Sequence, residues 1–590
     1  MGFRIGPAFS KTSQKHPAQI HLLVRTATLA CSRPHLPQPN DHHASLKEAE
    51  YQGFHSNSTM MRSFLFLALL LGGTLGPTLL SAQDLTGPKG EVFTVRVVKD
   101  KLSDPWEVTY GPDNYLWITE SKSYKVSRLH PATGAQSVLV DLASARKFPR
   151  YDKIPDAVDG GKPWPQGGLM GLALHPGLLK GKPYVYLAYT YAFAGAGKSG
   201  DGCDPNGGGC HYTTRVVRYD YDPNRQQLTN PLVLCDSIPG SNDHNSGRLL
   251  IAPVGGQPYL FYTVGDMGAG QFKNIGRPNH AQQTNSYEGK VLRFHLEPDA
   301  DKDQYDRWIP NDNPFATNQK QSAVWSLGHR NAQGLAYAEV GGTGRIYASE
   351  HGPFSDDEIN FVERGKNYGH PLIIGYQDNN YNGLAAGVSD QAQQPGAWHT
   401  TYPTIRNEKE NAAALGALYR DPLYSFNPTS NAFLTKILTQ IRSGENSSPD
   451  WPSEAPSSIG VYTASGIPGW QNSLLVPTLK TGKLFRLPLN PAGTDVTGDT
   501  LVYFRSKVRY RDLAISPDGK KLYLAVDSSS VTSGPSGEDP KGSQYRGSIL
   551  EFTYVKGGTA LKKASGGTTG GKTPAGSKAA GKAGEKRREE

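Results

Sequence analysis

Between residues 92 and 555, hydrophobic residues occur in short runs that often alternate with polar residues, and Gly, Pro, Asn and Asp separate these runs. Alternation with a period of two residues, bounded by turn-forming residues, is typical of β-strands. A helical period is hardly found anywhere in this part of the chain. The pattern therefore predicts an all-β protein.

One plan recurs along this region: the end of a strand, a turn that contains Pro or Gly, and a strand rich in aromatic and β-branched residues. The clear members are YGPDNYLWITE (110–120), LHPGLLKGKPYVYLAYTY (174–191), IAPVGGQPYLFYTVGD (251–266), YAEVGGTGRIYASEHG (337–352) and ISPDGKKLYLAVD (515–527). A weaker member is IPGWQNSLLVPTLK (467–480). Six units of roughly 77 residues predict a six-bladed β-propeller with long inter-strand loops, since a four-stranded blade alone needs fewer residues.

Equivalent strands of a propeller end on the same face around the central channel, so the residues at these ends are expected to form a ring. They are Glu120, Tyr191, Asp266, Glu350, Lys480 and Asp527. The many charged residues at these strand ends are explained either by a solvated rim or by a binding site formed where the blades converge.

The two ends of the chain differ in composition from this body. Residues 60–82 contain an Arg, an apolar stretch and a small-residue ending, which is typical of a secretory signal. We interpret residues 1–59 as an upstream extension that is not part of the mature protein, and residues 83–555 as the propeller. Residues 556–590 are rich in Gly, Ala and Lys and have almost nothing to bury, which predicts a disordered tail. The mature protein is expected to be soluble, without a transmembrane segment, and exported to the periplasm or the exterior.

The formal net charge of +9 comes from the ends, because the tail carries +6 and residues 1–59 carry +3. The body is close to neutral, which gives little support to nucleic-acid binding. The basic tail is either a plain solvated extension or a segment that touches an anionic surface.

Four cysteines are present, of which Cys31 lies upstream of the signal. Cys203 and Cys210 flank the loop DPNGGG and could close a small disulfide, which an exported protein would tolerate. Cys235 would then remain as a buried apolar residue. No C-x-x-C-H sequence occurs, so covalently attached haem is not expected.

Several polar clusters are expected to meet at the face where the strands end. The residues that stand out in them are Gln166, Asp243, His244, Arg330, Asn331, Lys480, Arg509 and Arg511. Arg509 and Arg511 are two positions apart, so on a strand they point to the same side. Four cations on one face of a near-neutral body require an anionic partner. His244 taken alone is explained either by a structural hydrogen-bond network or by proton transfer.

The segments DHNSGRL, GHRNAQGLAY, SEHGPFSDDEIN, GKNYGHP, LLVPTLKTGKLFR and RYRDLAISPDGKKLYL occur in the order and context of one known family. Over roughly residues 92–555 the chain resembles the soluble quinoprotein aldose dehydrogenases, which form the glucose/sorbosone dehydrogenase family. The resemblance implies a six-bladed propeller that holds pyrroloquinoline quinone (PQQ) and calcium at one mouth. It also implies oxidation of the anomeric carbon of an aldose to a lactone, with electrons passing to an acceptor that the sequence does not name.

By this resemblance, His244 is the general base for the C1 hydroxyl, Asp266 orients its ring, and Arg330 lies near the reactive quinone carbonyl. The residues implied to bind the cofactor are Gln166, Arg330, Asn331, His351, Lys480, Arg509 and Arg511. Those implied to contact the substrate are Gln166, Asp243 and Trp451.

The resemblance also implies that the backbone carbonyls of Gly352 and Pro353 bind the catalytic calcium. Glu358 and Asp378 correspond to a second, structural calcium site. The triplet Asp356, Asp357 and Glu358 can equally be read as an ordinary acidic turn.

The chain departs from the family pattern in four places. His351 stands where a glutamine is usual, Ser453 where a threonine is usual, and Ser448 where an aromatic residue lines the sugar site. The family's local disulfide is also absent from GENSSPDWPS. These changes leave PQQ binding possible but put glucose in doubt, so other aldoses or non-sugar alcohols are candidate substrates.

Two other functions fit a propeller. One is a calcium-dependent lactonase or esterase, which would have no use for a Lys/Arg cradle. The other is a non-catalytic propeller that binds a glycan or a protein, which would be expected to have lost His244 or Arg330. A fold alone can host all three functions.

Overall fold

The computed structural model describes residues 83–148, 165–194, 203–204, 208–271, 274–300, 306–317, 320–387, 401–443, 445, 450–527 and 545–557. The predicted upstream extension, the predicted signal, Ser448 and nearly all of the predicted tail lie outside the described residues.

The described strands form six antiparallel sheets, which confirms the all-β, six-bladed propeller. Two strands come first, β1 (Gln83–Thr86) and β2 (Val92–Lys99). Blade 1 contains β3 (Pro105–Tyr110), β4 (Leu116–Glu120), β5 (Lys125–Leu129) and β6 (Gln136–Asp141). Blade 2 contains β7 (Leu169–Leu174), β8 (Tyr184–Phe193), β9 (Tyr212–Asp222) and β10 (Gln227–Gly240). Blade 3 contains β11 (Leu249–Val254), β12 (Gln257–Val264), β13 (Lys290–His295) and β14 (Val324–Leu327).

The second half of the ring repeats this arrangement. Blade 4 contains β15 (Ala332–Val340), β16 (Thr343–Glu350), β17 (Asp357–Phe361) and β18 (Tyr424–Phe426). Blade 5 contains β19 (Gly460–Tyr462), β20 (Ser473–Pro477), β21 (Leu484–Pro488) and β22 (Leu501–Tyr503). Blade 6 contains β23 (Tyr510–Ile515), β24 (Lys521–Val526) and β25 (Ile549–Lys556), and β1 and β2 complete it in the order β1-β2-β25-β24-β23.

The recurring sequence plan corresponds to the inner hairpin of each blade, for example β11–β12 in blade 3. There Val254 pairs with Gln257, so only Gly255 and Gly256 form the turn. Both glycines have positive φ values, 58° and 81°. A two-residue hairpin turn of this kind needs positive φ at both positions, which glycine adopts without steric cost. The short turn sets the register, and the register directs one face of each strand into the core between blades.

The ring is closed by pairing the first part of the chain with the last. β2 pairs with β25, and Arg96 forms a bidentate ion pair with Glu551 at 2.8 and 2.9 Å. Glu91, just before β2, accepts hydrogen bonds from Trp470 of the segment before β20 and from Tyr503 of β22. Blade 6 is therefore built from both parts of the chain and is also tied to blade 5.

The innermost strands surround the channel in the order β3, β7, β11, β15, β19 and β23, and β23 contacts β3 again. Arg248, one residue before β11, lies buried among them. Its guanidinium contacts Glu107 of blade 1 at 2.5 Å and Asp512 of blade 6 at 3.1 Å. It also donates to the carbonyl oxygens of Gln333 in blade 4 and Ser457 beside blade 5.

Blade 2 joins this network because the Leu172 amide faces Glu107 Oε2 at 3.5 Å. Burial, together with the neighbouring Asp512, raises the pKa of Glu107 to about 8 despite the nearby Arg248. One cation therefore connects groups from all six blades inside the channel.

Two α-helices among the described residues were not expected from the sequence. They are α1 (Glu408–Leu415) and α2 (Asn431–Ser443). In α2, Leu434, Ile437, Leu438 and Ile441 follow helical spacing and pack in a cluster with Phe354 and Tyr402. This period was present in the sequence but was overlooked within a β-rich pattern. Neither helix is long and apolar enough to cross a bilayer.

Cys203 and Cys210 form the disulfide that the sequence allowed. Cys235 is a free thiol and is partly buried, and burial raises its pKa to about 12. It therefore behaves as an unreactive apolar residue.

We predict that Arg248→Met lowers the free energy of unfolding by about 3–5 kcal/mol, because the Asp512 carboxylate would stay buried without its cation and Glu107 would lose its hydrogen-bond donor. The measurement is urea unfolding at pH 7. The exposed Arg225, whose side chain is 76% accessible, provides the control. Arg225→Met should change stability by less than about 0.5 kcal/mol. Equal effects of the two substitutions would contradict the role given to Arg248.

Candidate functional site

His244 lies in the loop between β10 and β11, and Asp266 follows the end of β12. The loop is held by Asn245, whose side chain accepts from the Ser241 amide and donates to the carbonyl oxygens of Ser241 and Gln166. His244 has a φ of 51°, which is uncommon for a residue that is not glycine. Such backbone strain persists only where surrounding contacts enforce it, and it often marks functional positions.

His244 and Asp266 form a buried pair, with Nδ1 of the ring 2.6 Å from Oδ1 of the carboxylate. The carboxylate of Asp266 is fully buried, and burial alone would raise its pKa. The interaction with His244 and the hydrogen bonds from His244 and His370 outweigh burial and hold the pKa of Asp266 well below its usual value. An ionised Asp266 requires the proton of neutral His244 to be on Nδ1, so Nε2 is left as a proton acceptor.

The predicted substrate residues Gln166 and Asp243 lie beside this pair. Gln166 donates to Asp243 Oδ1 at 3.3 Å. Gln271 donates to Asp243 Oδ2 at 2.6 Å and lies 3.2 Å from His244 Nε2. Arg330 donates to Gln271 Oε1 at 3.3 Å. The structure therefore brings Gln166, Asp243, His244 and Arg330 together.

Gln271 was missed in the sequence analysis. In the sequence, Gln271 is marked only by its side-chain amide, five residues after Asp266, in a Gly-rich segment that is typical of an ordinary loop. Its position is set by a turn, in which the Gln271 amide donates to the Gly268 carbonyl and the Asn274 amide donates to the Gln271 carbonyl.

Arg330 and His351 lie on neighbouring segments of blades 3 and 4. The Arg330 amide donates to Glu350 Oε1, and its guanidinium donates to the carbonyl oxygens of His351 and Gly352 at 3.3 and 3.0 Å. Burial and the charges of Arg330, His244 and Arg511 hold the pKa of His351 well below its usual value. The His351 ring is therefore neutral.

Three buried nitrogen atoms here have no hydrogen-bond partner within the described part of the chain: Arg330 Nε, Asn331 Nδ2 and His351 Nε2. A buried polar atom without a partner costs about 1–3 kcal/mol, and native proteins contain few of them. Arg330 and Asn331 are consecutive, and the His351 amide donates to the Asn331 carbonyl oxygen at 3.3 Å. The three nitrogens therefore lie on neighbouring segments and could be satisfied together by a polar ligand.

The predicted cations Lys480, Arg509 and Arg511 are near the same mouth but are partly neutralised by the protein itself. Arg509 and Arg511 both contact Asp527, and Arg511 also donates to Gln333 Oε1. Lys480 pairs with Asp450 at 3.0 Å. Two carboxylates, Asp450 and Asp527, therefore balance part of the charge of these three cations, which the sequence analysis did not foresee.

Trp451, the predicted sugar-lining residue, packs edge-on against Phe354 with ring centroids 5.8 Å apart. Lys480 donates to the Trp451 carbonyl oxygen and its ammonium lies 5.1 Å from the Trp451 ring centre. Ser453 is turned toward Asp357, to which its hydroxyl donates at 2.9 and 3.0 Å. The apolar surface formed by Trp451 and Phe354 and the cation Lys480 thus meet at residues 450–453.

The turn that contains Gly352 and Pro353 is braced by Asp357. This buried carboxylate accepts from the amides of Gly352, Glu454 and Ala455. Asp357 therefore stabilises the turn and is not available as a metal ligand. Of the triplet Asp356, Asp357 and Glu358, only Glu358 stays assigned to the predicted second metal position.

Glu358 lies beside another buried carboxylate, Glu408, at the start of α1. The amide of Ile374 donates to Glu408 and that of Gly375 donates to Glu358, each at 3.0 Å. Burial raises the pKa of both groups, to about 7 for Glu408, where Asp378 contributes, and well above the usual value for Glu358. Asp378 itself is exposed. Among the described residues, no three His, Cys, Asp or Glu side chains converge closely enough to hold a metal ion alone.

The disulfide is connected to the His244 loop through Asn274. Asn274 accepts from the Cys210 amide and donates to Asn242 Oδ1, both at 2.8 Å. Arg277 donates to the carbonyl oxygens of Cys210 and Gly240. The disulfide-closed loop therefore supports the segments that carry His244 and Gln271.

Two of the predicted ring residues do not take part in the site. Glu120 accepts from Ser103 and Gln136 within blade 1, and Tyr191 donates to Asp236 within blade 2. The site is therefore built mainly from blades 3 to 6, with Gln166 from the segment before blade 2.

Comparisons with known proteins show the family and the fold of this chain. A sequence profile of the family described as Glucose / Sorbosone dehydrogenase matches residues 102–415 and 435–532. Quinoprotein glucose dehydrogenase B of Acinetobacter calcoaceticus is 34% identical over 491 residues, which cover 79% of this chain and 92% of that protein. Aldose sugar dehydrogenase YliI of Escherichia coli is 25% identical, over 74% of this chain and 90% of that protein. The PQQ-bound aldose sugar dehydrogenase of Streptomyces coelicolor shares the fold, with a TM-score of 0.50, 24% identity and coverage of 80% of this chain and 100% of that chain.

Proposed function

The chain belongs to the glucose/sorbosone dehydrogenase family, and from this premise we propose that it is a PQQ- and calcium-dependent dehydrogenase that oxidises the anomeric carbon of aldose sugars to lactones. The observation that carries the proposal is the set of three unpartnered buried nitrogens on Arg330, Asn331 and His351, next to the His244–Asp266 pair. Gln271 Nε2 lies 3.2 Å from His244 Nε2, and a substrate hydroxyl would replace that contact. A base beside polar groups that need partners is suited to removing a proton from a bound substrate.

The residues present fit PQQ. Arg330, Asn331 and His351 offer nitrogens that need partners, and Lys480, Arg509 and Arg511 retain more positive charge than Asp450 and Asp527 balance. Gln166 completes the set of residues proposed to bind PQQ. The guanidinium groups of the arginines are well suited to contacts with the carboxylates of PQQ. When bound, PQQ supplies the acceptor for the hydride from the sugar C1 carbon.

The protein's own part in the reaction is proton removal and charge stabilisation. His244 Nε2 takes the proton of the C1 hydroxyl, and Asp266 stabilises the resulting imidazolium across the 2.6 Å hydrogen bond. Gln166 and Asp243 orient the sugar hydroxyls, while Trp451 provides an apolar surface. Arg330 places a fixed positive charge beside these groups, where it can favour developing negative charge.

We propose that the backbone carbonyl oxygens of Gly352 and Pro353 bind the catalytic calcium, since calcium accepts such oxygen ligands. The Gly352 carbonyl oxygen accepts from Arg330 at 3.0 Å, so calcium binding would require the guanidinium to give up this contact. A second, structural calcium is proposed at Glu358 and Asp378. Glu408, which the sequence analysis did not include, supports this second position because it is buried and its Oε2 has no hydrogen-bond partner among the described residues. A cation would relieve the repulsion between these carboxylates.

Export to the periplasm or exterior is also part of the proposal. The disulfide between Cys203 and Cys210 supports it, because such bonds persist in oxidising compartments. The proposed signal and its cleavage after Ala82 lie outside the described residues.

The first prediction is that the purified protein, reconstituted with PQQ and calcium, oxidises aldoses with an artificial dye as electron acceptor. Activity should require both additions, and a panel of aldoses and simple alcohols would rank the substrates. Lactone hydrolysis that needs calcium but not PQQ would instead establish the lactonase alternative. Sugar binding without turnover would establish the binding-module alternative.

The second prediction concerns the base. His244→Gln should lower turnover by at least about 100-fold, the usual contribution of a general base, while PQQ still binds by absorbance titration. His175→Gln is the matched control, because His175 follows β7 at the turn of the inner hairpin and binds the Gly177 amide. Loss of PQQ binding in His244→Gln, without a specific loss of turnover, would contradict its role as base.

The third prediction concerns the second calcium. Because the pKa of Glu408 is raised from 4.5 to about 7, the folded calcium-free protein retains a proton that the unfolded chain releases. Its free energy of unfolding should therefore fall as the pH rises from about 4.5 through about 7. Above pH 7, added calcium should raise the melting temperature by mass action.

Glu408→Gln should weaken this calcium response. Glu410→Gln, on the same helix and exposed, is the control and should leave the response unchanged. A melting temperature that calcium does not alter in the wild-type protein would contradict the second site.

A further inference from the structure

The carboxylate of Asp266 lies between two histidines, one on each oxygen. Oδ1 accepts from His244 Nδ1 at 2.6 Å. Oδ2 accepts from His370 Nε2 at 2.8 Å, from the Tyr402 hydroxyl at 3.0 Å and from Asn279 Nδ2 at 3.2 Å. The base of the proposed reaction therefore depends on a carboxylate whose far oxygen is held by three donors that come from elsewhere in the chain.

His370 is fixed in place by its own backbone. Its amide donates to the Gly328 carbonyl oxygen at 3.0 Å, and its carbonyl oxygen accepts from Gln282 Nε2 at 2.7 Å. The ring is buried and packs edge-to-face on Tyr402, with centroids 5.7 Å apart. The backbone contacts fix the position of the residue, and rotation of the ring would break its contacts with Asp266 and Tyr402, so the donor at Oδ2 has a defined position.

The groups that act electrostatically on the His370 ring are Asp266, Arg330 and Glu350, and the Tyr402 ring packs against it. Burial lowers the pKa of His370, although Asp266 opposes this effect. A neutral imidazole has a single N–H, and the contact with Asp266 places it on Nε2. His370 therefore contributes a hydrogen-bond donor and no net charge.

We propose that His370 is a positioning residue for the dehydrogenase reaction: it fixes the plane of the Asp266 carboxylate and limits how strongly that carboxylate retains a proton on His244. The inference rests on the proposed function, since it concerns the same base. A donor at Oδ2 draws negative charge away from Oδ1. A carboxylate without this donor stabilises the imidazolium of His244 more strongly and leaves less neutral base at a given pH.

His370→Phe removes the donor and keeps a planar ring, whereas His370→Gln restores an N–H at a similar reach. Tyr402→Phe removes one hydroxyl from the same oxygen and changes little else. Tyr381→Phe is the matched control, because the Tyr381 hydroxyl is in the same hydrophobic cluster but interacts with Ser355.

The first readout needs neither cofactor nor turnover. In protein labelled with ¹⁵N-histidine, the ring of His244 is titrated by NMR. His370→Phe and Tyr402→Phe should move its titration midpoint to higher pH by roughly 0.5–1 unit. His370→Gln should return it toward the wild-type value, and Tyr381→Phe should leave it unchanged.

The second readout is the pH dependence of kcat/KM in the reconstituted enzyme. Its acid limb should shift in the same direction and by a similar amount, with kcat reduced in His370→Phe and recovered in His370→Gln. A merely structural role would lower activity without moving the acid limb.

The inference is overturned if the His244 midpoint is the same in wild type, His370→Phe and Tyr402→Phe. If His370→Phe does not fold, Tyr402→Phe provides the same test on the same oxygen. A shifted midpoint in a protein that oxidises no sugar would refute the proposed function and leave the control of His244 by His370 intact.

Discussion

The structure depends on a single buried cation, Arg248, in the central channel. A guanidinium removed from water is stable only when its charge and its donors are matched, and here Glu107, Asp512 and two backbone carbonyls provide the match. Because these groups come from different blades, their distances define where the inner strands must stand. The propeller is held at its centre by electrostatics as well as by the apolar layers between blades.

The candidate site is built on the same strand segments as this central network. His244 lies four residues before Arg248, and Arg511 is directly before Asp512. Gln333 belongs to both regions, since its carbonyl oxygen accepts from Arg248 and its side chain accepts from Arg511. Groups whose relative positions matter at the mouth are thereby anchored in the channel within four residues along the chain, which is how a rigid scaffold can position loop residues.

The inner hairpins were predictable because each carries a local signal, such as the Gly255–Gly256 turn and the alternation that follows it. The family motifs likewise pointed to His244, Asp266 and Arg330, which the structure brings close together. His370 and Tyr402 were not identified, because each lies more than 100 residues from Asp266 and looks like an ordinary core residue. The pairing of Arg509 and Arg511 with Asp527 is different, because these residues lie on the two arms of the β23–β24 hairpin, and the sequence analysis overlooked this contact although it predicted the hairpin.

The closure of the ring has a consequence for how the chain folds during synthesis. β2 is made early, but its inner partner β25 is separated from it by more than 400 residues, as in the pair Arg96 and Glu551. Until β25 leaves the ribosome, β2 and β24 both present unpaired edges, and such edges associate readily with other chains. The propeller therefore cannot protect these two edges until Ile549 and the residues after it are available for pairing, and the incomplete chain is open to association with other chains until then.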